Sequence, residues 1–214
     1  MMKKIYCISG LGADHSIFDK LSVPGTELVH IPWVPFDFDE EVSHYARKMS
    51  AQIKEHDPII LGLSFGGMIA VEIAKLRHAS KLFIISSAKN KYELVEGSGK
   101  YFGYLIKHGL IPSWLFTVPN FLLYRRFGAK TKKEKAVLRS ILRNTNPHFV
   151  KWALKALLLW NNETYPDHIV HIHGTADRII LPDHIRADHW VEGGSHMMIY
   201  NRADEIGQVI ADNL

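Results

Sequence analysis

The sequence predicts an α/β fold: a mainly parallel sheet of about six strands, helices on both faces, and a helical insertion. Three observations predict it. Short apolar strands alternate with amphipathic helical stretches through the first 88 residues, a rhythm that calls for parallel strands joined by crossover helices. The rhythm stops over residues 89–165 and then resumes, dividing the chain into a core of 1–88 and 166–214 and an inserted helical cap of 89–165. Finally, Ile59-Ile60-Leu61-Gly62-Leu63-Ser64-Phe65-Gly66-Gly67-Met68 runs a strand straight into a helix through a Gly-x-Ser-x-Gly turn.

Taken in order, Lys3–Ser9 reads as a buried strand rich in Ile and Tyr, followed by Gly10-Leu11-Gly12-Ala13-Asp14, a loop whose backbone can approach a ligand. Leu28–Ile31 is a second strand, and Pro32-Trp33-Val34-Pro35-Phe36 a stiff apolar loop. Val42, Tyr45, Ala46, Met49 and Ile53 fall at helical spacing, and Pro58 closes that helix before the central strand. A helix over 66–77 and an apolar strand over Lys81–Ser86 follow. Within the insertion, Thr131-Lys132-Lys133-Glu134 is a capping box ahead of Val137, Leu138, Ile141 and Leu142. Asn146-Pro147 opens a second helix with Phe149, Ala153, Ala156, Leu157 and Trp160 at helical spacing. The aromatic run from Trp114-Leu115-Phe116 through Phe121-Leu122-Leu123-Tyr124 reads as cap core and pocket lining ahead of a membrane anchor. Ile169–His173 resumes the sheet and ends in Gly174-Thr175-Ala176-Asp177. His189-Trp190-Val191 is a short last strand leading to Gly193-Gly194-Ser195-His196, and a closing helix runs from about Arg202.

The bulk composition is that of an ordinary globular domain: 214 residues, 47% hydrophobic and 22% charged. No apolar stretch reaches membrane-spanning length, and the run after Lys4 breaks at Ser9-Gly10, too early for a signal peptide. A single cysteine, Cys7, excludes an internal disulfide framework and fits a reducing compartment, so a cytoplasmic location is expected. The net charge of +4 is unevenly spread: residues 89–164 hold 14 Lys and Arg against 4 Asp and Glu, a net of +10, and the remainder nets −6. Either this basic segment is a solvated face, or part of it overhangs a pocket and draws in an anionic ligand. No nucleic-acid partner and no stable membrane insertion are expected.

Serine is a poor nucleophile at neutral pH and needs a base, which in turn needs an orienting acid. Ser64, Asp177 and His196 each sit just past a predicted strand, where a parallel sheet gathers side chains into one crevice. With the Gly-Leu-Ser-Phe-Gly-Gly of 62–67, the His-Gly-Thr-Ala-Asp-Arg of 173–178 and the Gly-Gly-Ser-His of 193–196 in that order, the chain resembles an α/β-hydrolase with a helical cap. The resemblance covers nearly the whole chain and is carried by the core. It implies Ser64 as nucleophile, His196 as general base and then acid, and Asp177 as the residue holding the imidazole. It also implies an oxyanion hole from the backbone N–H groups of Phe65 and Leu11, and no cofactor. The activity implied is hydrolysis of a small-molecule carboxylic ester or thioester through an acyl-enzyme. A ligand sensor with slow or no turnover is the alternative, because some relatives keep the triad in that role. Trp33, Met197, Arg125 and Arg126 are the candidate substrate-binding residues.

The chain departs from the family pattern in three places. The usual first hairpin has no counterpart, which predicts six strands. Ser9 stands where many members carry the histidine of a His-Gly pair. Only 19 positions separate Asp177 from His196, leaving space for a stub of the helix normally found between them; Asp188 is the alternative acid. His171 and His173 alternate on one strand, but no third ligand stands at a spacing that suits a metal.

Overall fold

The computed structural model describes residues 2–94 and 117–214. Six parallel strands form one sheet: β1 Lys3–Ile8, β2 Thr26–His30, β3 Ile59–Leu63, β4 Lys81–Ile85, β5 Ile169–Gly174 and β6 His189–Val191, in the spatial order β2-β1-β3-β4-β5-β6. The order reverses direction at β1 and β3, so both carboxyl ends flank the crevice where such sheets bind ligands.

Successive side chains of each strand go to opposite faces, and each face has its own core. Tyr6, Ile8, Ile60, Leu82 and Ile84 join α1 (Val42–Ser50) and α2 (Phe65–Leu76) on one side. Ile5, Cys7, Ile59, Leu61, Phe83, Ile85 and Ile172 join the C-terminal helix on the other. Cys7 is buried in this second core, and burial pushes its thiol up to about 12, so it stays protonated and inert. Ile53, expected to extend α1, instead lies one turn past its end, where Gln52 N–H and Ile53 N–H donate to Met49 and Ser50 carbonyls; it is still buried.

Between β4 and β5 the described residues form no strand, a 3₁₀ turn at Lys91–Glu93 and three α-helices: α3 Phe121–Phe127, α4 Lys132–Asn144 and α5 Pro147–Leu159. Each has the cap its sequence carries. The Asn120 side chain accepts from Leu123 N–H, and Gly128 closes α3 at φ +78°. Thr131 and Glu134 complete the capping box of α4, and Asn146 caps α5 with Pro147 in its first turn. Leu138, Ile141 and Leu142 bury against the second core. Phe149, Trp152, Ala153 and Ala156 bury against the first, with the Trp152 indole donating to the Glu40 carbonyl at 3.0 Å. Of the aromatic run, Trp114, Leu115 and Phe116 lie outside the described residues. Leu123 and Tyr124 pack on the core, whereas Phe121 and Leu122 are exposed.

The flanks of the insertion are tied together. Lys91 N–H donates to the Asn162 carbonyl at 2.8 Å, the Asn162 side-chain amide donates to the Lys89 carbonyl at 3.0 Å, and Lys75 donates to the Asn162 side-chain oxygen at 2.6 Å. The Trp160 indole reaches the buried Glu72 carboxylate on α2 at 2.8 Å. The chain closes with two helices, α6 Met198–Asn201 and α7 Ala203–Asp212. The sequence predicts only the second of these, from about Arg202.

Candidate active site

The site begins at the turn between β3 and α2. Ser64 has φ 53° and ψ −123°, a conformation that L residues rarely adopt. It is held there by Ser64 N–H donating to the Ile85 carbonyl at 2.9 Å and by the Ser87 hydroxyl donating to the Ser64 carbonyl at 2.7 Å. Two glycines make the turn possible. A Cβ on Gly62 would lie 2.5 Å from the Gly66 carbonyl oxygen, and one on Gly66 would lie 2.2 Å from the Ser9 carbonyl oxygen. The helix therefore packs backbone to backbone against the end of β1, with the start of α2 directed at the serine.

The other two residues arrive from β5 and β6. Gly174 lies so close to Gly194 that a Cβ would meet its carbonyl oxygen at 2.2 Å, and Ala176 N–H donates to the same oxygen at 2.9 Å. This contact brings the loops after the two strands together. Asp177 accepts hydrogen bonds on one oxygen from Ile179 N–H at 2.8 Å and Ile180 N–H at 3.1 Å. Its other oxygen is 2.8 Å from His196 Nδ1, and His196 Nε2 is 2.9 Å from Ser64 Oγ. Burial works to raise the Asp177 carboxyl, but the His196 imidazole and the Ile179 N–H outweigh it and hold the group below its ordinary value. Asp177 is thus an acceptor for the Nδ1 proton, which leaves the Nε2 lone pair facing the serine hydroxyl.

Asp188, the alternative acid, is engaged elsewhere: its carboxylate accepts from His171 N–H at 2.8 Å and its own N–H donates to the His171 carbonyl. The short 177–196 connection suffices because Pro182–His184 is only a single 3₁₀ turn. His171 and His173 are fully buried and meet edge to face at 5.4 Å. Burial pushes both rings below the ordinary histidine range, His171 well below it. His173 Nε2 is 3.1 Å from the Ile180 carbonyl, so it pins the loop that carries Asp177. Among the described residues no group of three or more His, Cys, Asp or Glu side chains is placed to hold a metal.

Phe65 follows Ser64 directly, and Leu11 follows Gly10 in the 10–14 loop. The Cβ that Gly10 lacks would be 3.4 Å from the Ser64 Cβ, which sets the 10–14 loop against the Ser64 turn. Neither Leu11 N–H nor Phe65 N–H donates to any protein acceptor among the described residues. Trp33 stacks over Phe65 with ring centroids 5.9 Å apart, and its indole donates to the Ala13 carbonyl at 3.1 Å. Met197 is buried in the second core, with its N–H on the Phe127 carbonyl at 3.2 Å. Arg125 and Arg126 are exposed on α3 and form no ion pair among the described residues.

Sequence reasoning did not single out Phe127, yet its ring lies edge-on to the His196 ring at 5.4 Å. The signal was present: Asn120 and Gly128 bracket a seven-residue helix, and a Cβ on Gly128 would collide with Ser195 beside His196.

Comparison with known proteins gives a consistent placement. A family model described as the alpha/beta hydrolase family matches residues 6–209. A search of curated proteins returns no significant match. Among solved structures, the chain is similar to a lipase-esterase related protein from Clostridium acetobutylicum, at 16% identity over 99% of this chain and 94% of that one, with a TM-score of 0.73. It is similar to a thermophilic esterase from Thermogutta terrifontis, at 11% identity over 98% and 88%, with a TM-score of 0.70. An N-acyl homoserine lactonase aligns at 16% identity over 98% and 88%, with a TM-score of 0.69. At these identities the likeness is one of fold, and together with the match over nearly its full length it means that the chain belongs to the alpha/beta hydrolase family.

Proposed function

We propose that the protein is a serine hydrolase that cleaves a small-molecule carboxylic ester or thioester through an acyl-enzyme on Ser64. The observation that carries this reading is the unbroken line Asp177–His196–Ser64, with spacings of 2.8 and 2.9 Å. Ser64 Oγ attacks the carbonyl carbon and passes its proton to His196 Nε2. Asp177 holds the imidazole in the tautomer that can receive it and stabilises the positive charge that forms. The negative oxygen is met by the N–H groups of Leu11 and Phe65, neither of which has a protein acceptor among the described residues. Collapse expels the alkoxide or thiolate, which takes the proton from His196. Water then repeats the sequence on the acyl-enzyme with His196 as base. These steps need no cofactor.

In this reading the core of 1–88 and 166–214 carries the chemistry and the 89–165 insertion is a cap over it. Phe127 against His196 supports that placement, as do the tied flanks. The solved esterase has malate bound and the lactonase N-butanoyl homoserine, so small organic ligands suit both of those proteins. Arg125 and Arg126, with Lys130, Lys132 and Lys133 nearby, supply an exposed basic rim that favours an anionic acyl chain or carrier here.

A fluorophosphonate probe tests the reading. Intact-mass spectrometry should show one adduct on the wild type and none on Ser64→Ala, and the wild type should turn over p-nitrophenyl or acyl-CoA esters. No adduct on the wild type overturns the triad. An adduct without turnover on any ester would move the protein to the sensor class.

A further inference from the structure

The loop that offers the Leu11 N–H is short, glycine-rich and begins with Ser9, so its conformation has to be imposed from outside. The Gly10 carbonyl and the Leu11 N–H belong to one trans peptide unit and point in opposite directions. Gly10 O accepts from Ala13 N–H at 2.9 Å, which turns that carbonyl into the loop and the Leu11 N–H out of it. The aim of the Leu11 N–H therefore depends on where Ala13 sits.

Three side chains from three parts of the chain fix Ala13 and its neighbour. Ser9 Oγ donates to the Ala13 carbonyl at 2.5 Å, and Trp33 Nε1 donates to the same oxygen at 3.1 Å. The third is Thr145, at the junction of α4 and α5 in the insertion. It is buried, and its hydroxyl lies 3.0 Å from the Gly12 carbonyl and 2.6 Å from the Ile141 carbonyl. A hydroxyl has one hydrogen. That hydrogen is shared between the two carbonyls as a three-centre bond, and Gly12 O has no other donor among the described residues. Gly12 is at φ +69°, and a Cβ there would lie 2.1 Å from the Thr145 methyl. The threonine is seated directly on the glycine.

We infer that Thr145 is a positioning residue: through Gly12 and Ala13 it aims the Leu11 N–H, so the insertion sets the oxyanion hole as well as covering the site. This rests on the hydrolase reading above. It gives the α4–α5 junction a role in the rate of the chemical step rather than in substrate capture alone.

The test is the kinetics of Ser64 phosphonylation by a fluorophosphonate, whose P–O oxygen occupies the same hole, with p-nitrophenyl butyrate turnover in parallel. Thr145→Val removes the hydroxyl at nearly constant volume, and Thr145→Ser keeps it. Losing an oxyanion donor outright costs about 10²–10³-fold in rate. A mis-aimed donor should therefore lower kinact and kcat by about 10–100-fold in Thr145→Val. KI and KM should stay near wild type, and Thr145→Ser should recover most of the rate. Should the valine variant fail to fold, Thr145→Ala carries the same expectation. Wild-type rates in the folded valine or alanine variant overturn the inference, as does a serine variant as slow as the valine one, or a loss confined to KI and KM. Retained turnover in Ser64→Ala would instead bring down the hydrolase reading beneath it.

Discussion

Asp177→Asn should leave the fold intact and nearly abolish turnover, and the hydrogen bonds around the carboxylate say why. One oxygen accepts two backbone N–H groups, from Ile179 at 2.8 Å and Ile180 at 3.1 Å. An asparagine must keep its carbonyl oxygen there, because its NH₂ has nothing to accept with. The NH₂ is then forced toward His196 Nδ1, 2.8 Å from the other oxygen. A donor at that position selects the imidazole tautomer with its proton on Nε2. Nε2–H donates to Ser64 Oγ across the 2.9 Å gap and has no lone pair left to take the serine proton. Loss of the correct tautomer is worth about 10⁴-fold in kcat, or about 5.5 kcal/mol of barrier. The assay is kcat and KM on p-nitrophenyl butyrate, with a thermal melt to show that the variant is folded. A folded variant within tenfold of wild type, or a comparable loss in Asp188→Asn, would refute the reasoning.

Three further outcomes follow from other contacts. Because Asp177 titrates below its ordinary range when folded, its contribution to stability is present above the unfolded carboxyl value of about 3.9 and is lost as pH falls through the lower folded value. The acid limb of the stability curve should therefore be shallower in Asp177→Asn, as read by urea melts between pH 2 and 5; an unchanged limb would count against the shift. Gly66→Ala places a Cβ 2.2 Å from the Ser9 carbonyl oxygen and 2.4 Å from that of Ile8, both backbone atoms, and should cost about 1–3 kcal/mol; each kcal/mol lowers Tm by about 2–4 °C at this chain length. An unchanged Tm would show that the helix–strand contact is looser than described. The exposed Arg125 and Arg126 should raise kcat/KM for an anionic ester over a neutral one of matched size, an advantage that fades as salt shortens the Debye length to about 8 Å and that Arg125→Glu with Arg126→Glu erases. Equal salt responses for both esters would return the cluster to a solvated face.

Much of this arrangement was legible because the relevant signals are local. The β-branched run into Gly62 and the apolar face of 66–76 specify a strand, a turn and a helix with no help from elsewhere. The capping box at Thr131 and the Asn146-Pro147 pair mark two helix starts to the residue. What escaped the sequence depends on packing between distant segments. Phe127 meets His196 only because Gly128 seats on Ser195, and Thr145 meets Gly12 across 133 positions. Met197, a candidate substrate-binding residue from the sequence, is buried in the second core, a placement that its position next to His196 does not by itself reveal. Likewise Ser9, conspicuous as a replacement for histidine, turns out to close the loop on its own backbone by donating to Ala13.

The order of assembly adds something to the short β6. Ser64 acquires its strained turn from β3, β4 and α2, all encoded in the first 90 residues, while His196, its base in the proposed mechanism, comes 132 positions later. That base is carried by a strand of three residues at the edge of the sheet, paired to β5 through Ile172, His173 and Gly174. A growing chain would thus hold a shaped but powerless serine until its final stretch docks, and covalent reactivity at Ser64 would appear only on completion of the edge. Reactivity toward a phosphonate would in that way report whether the last strand of the sheet has closed, independently of how much of the interior has already formed.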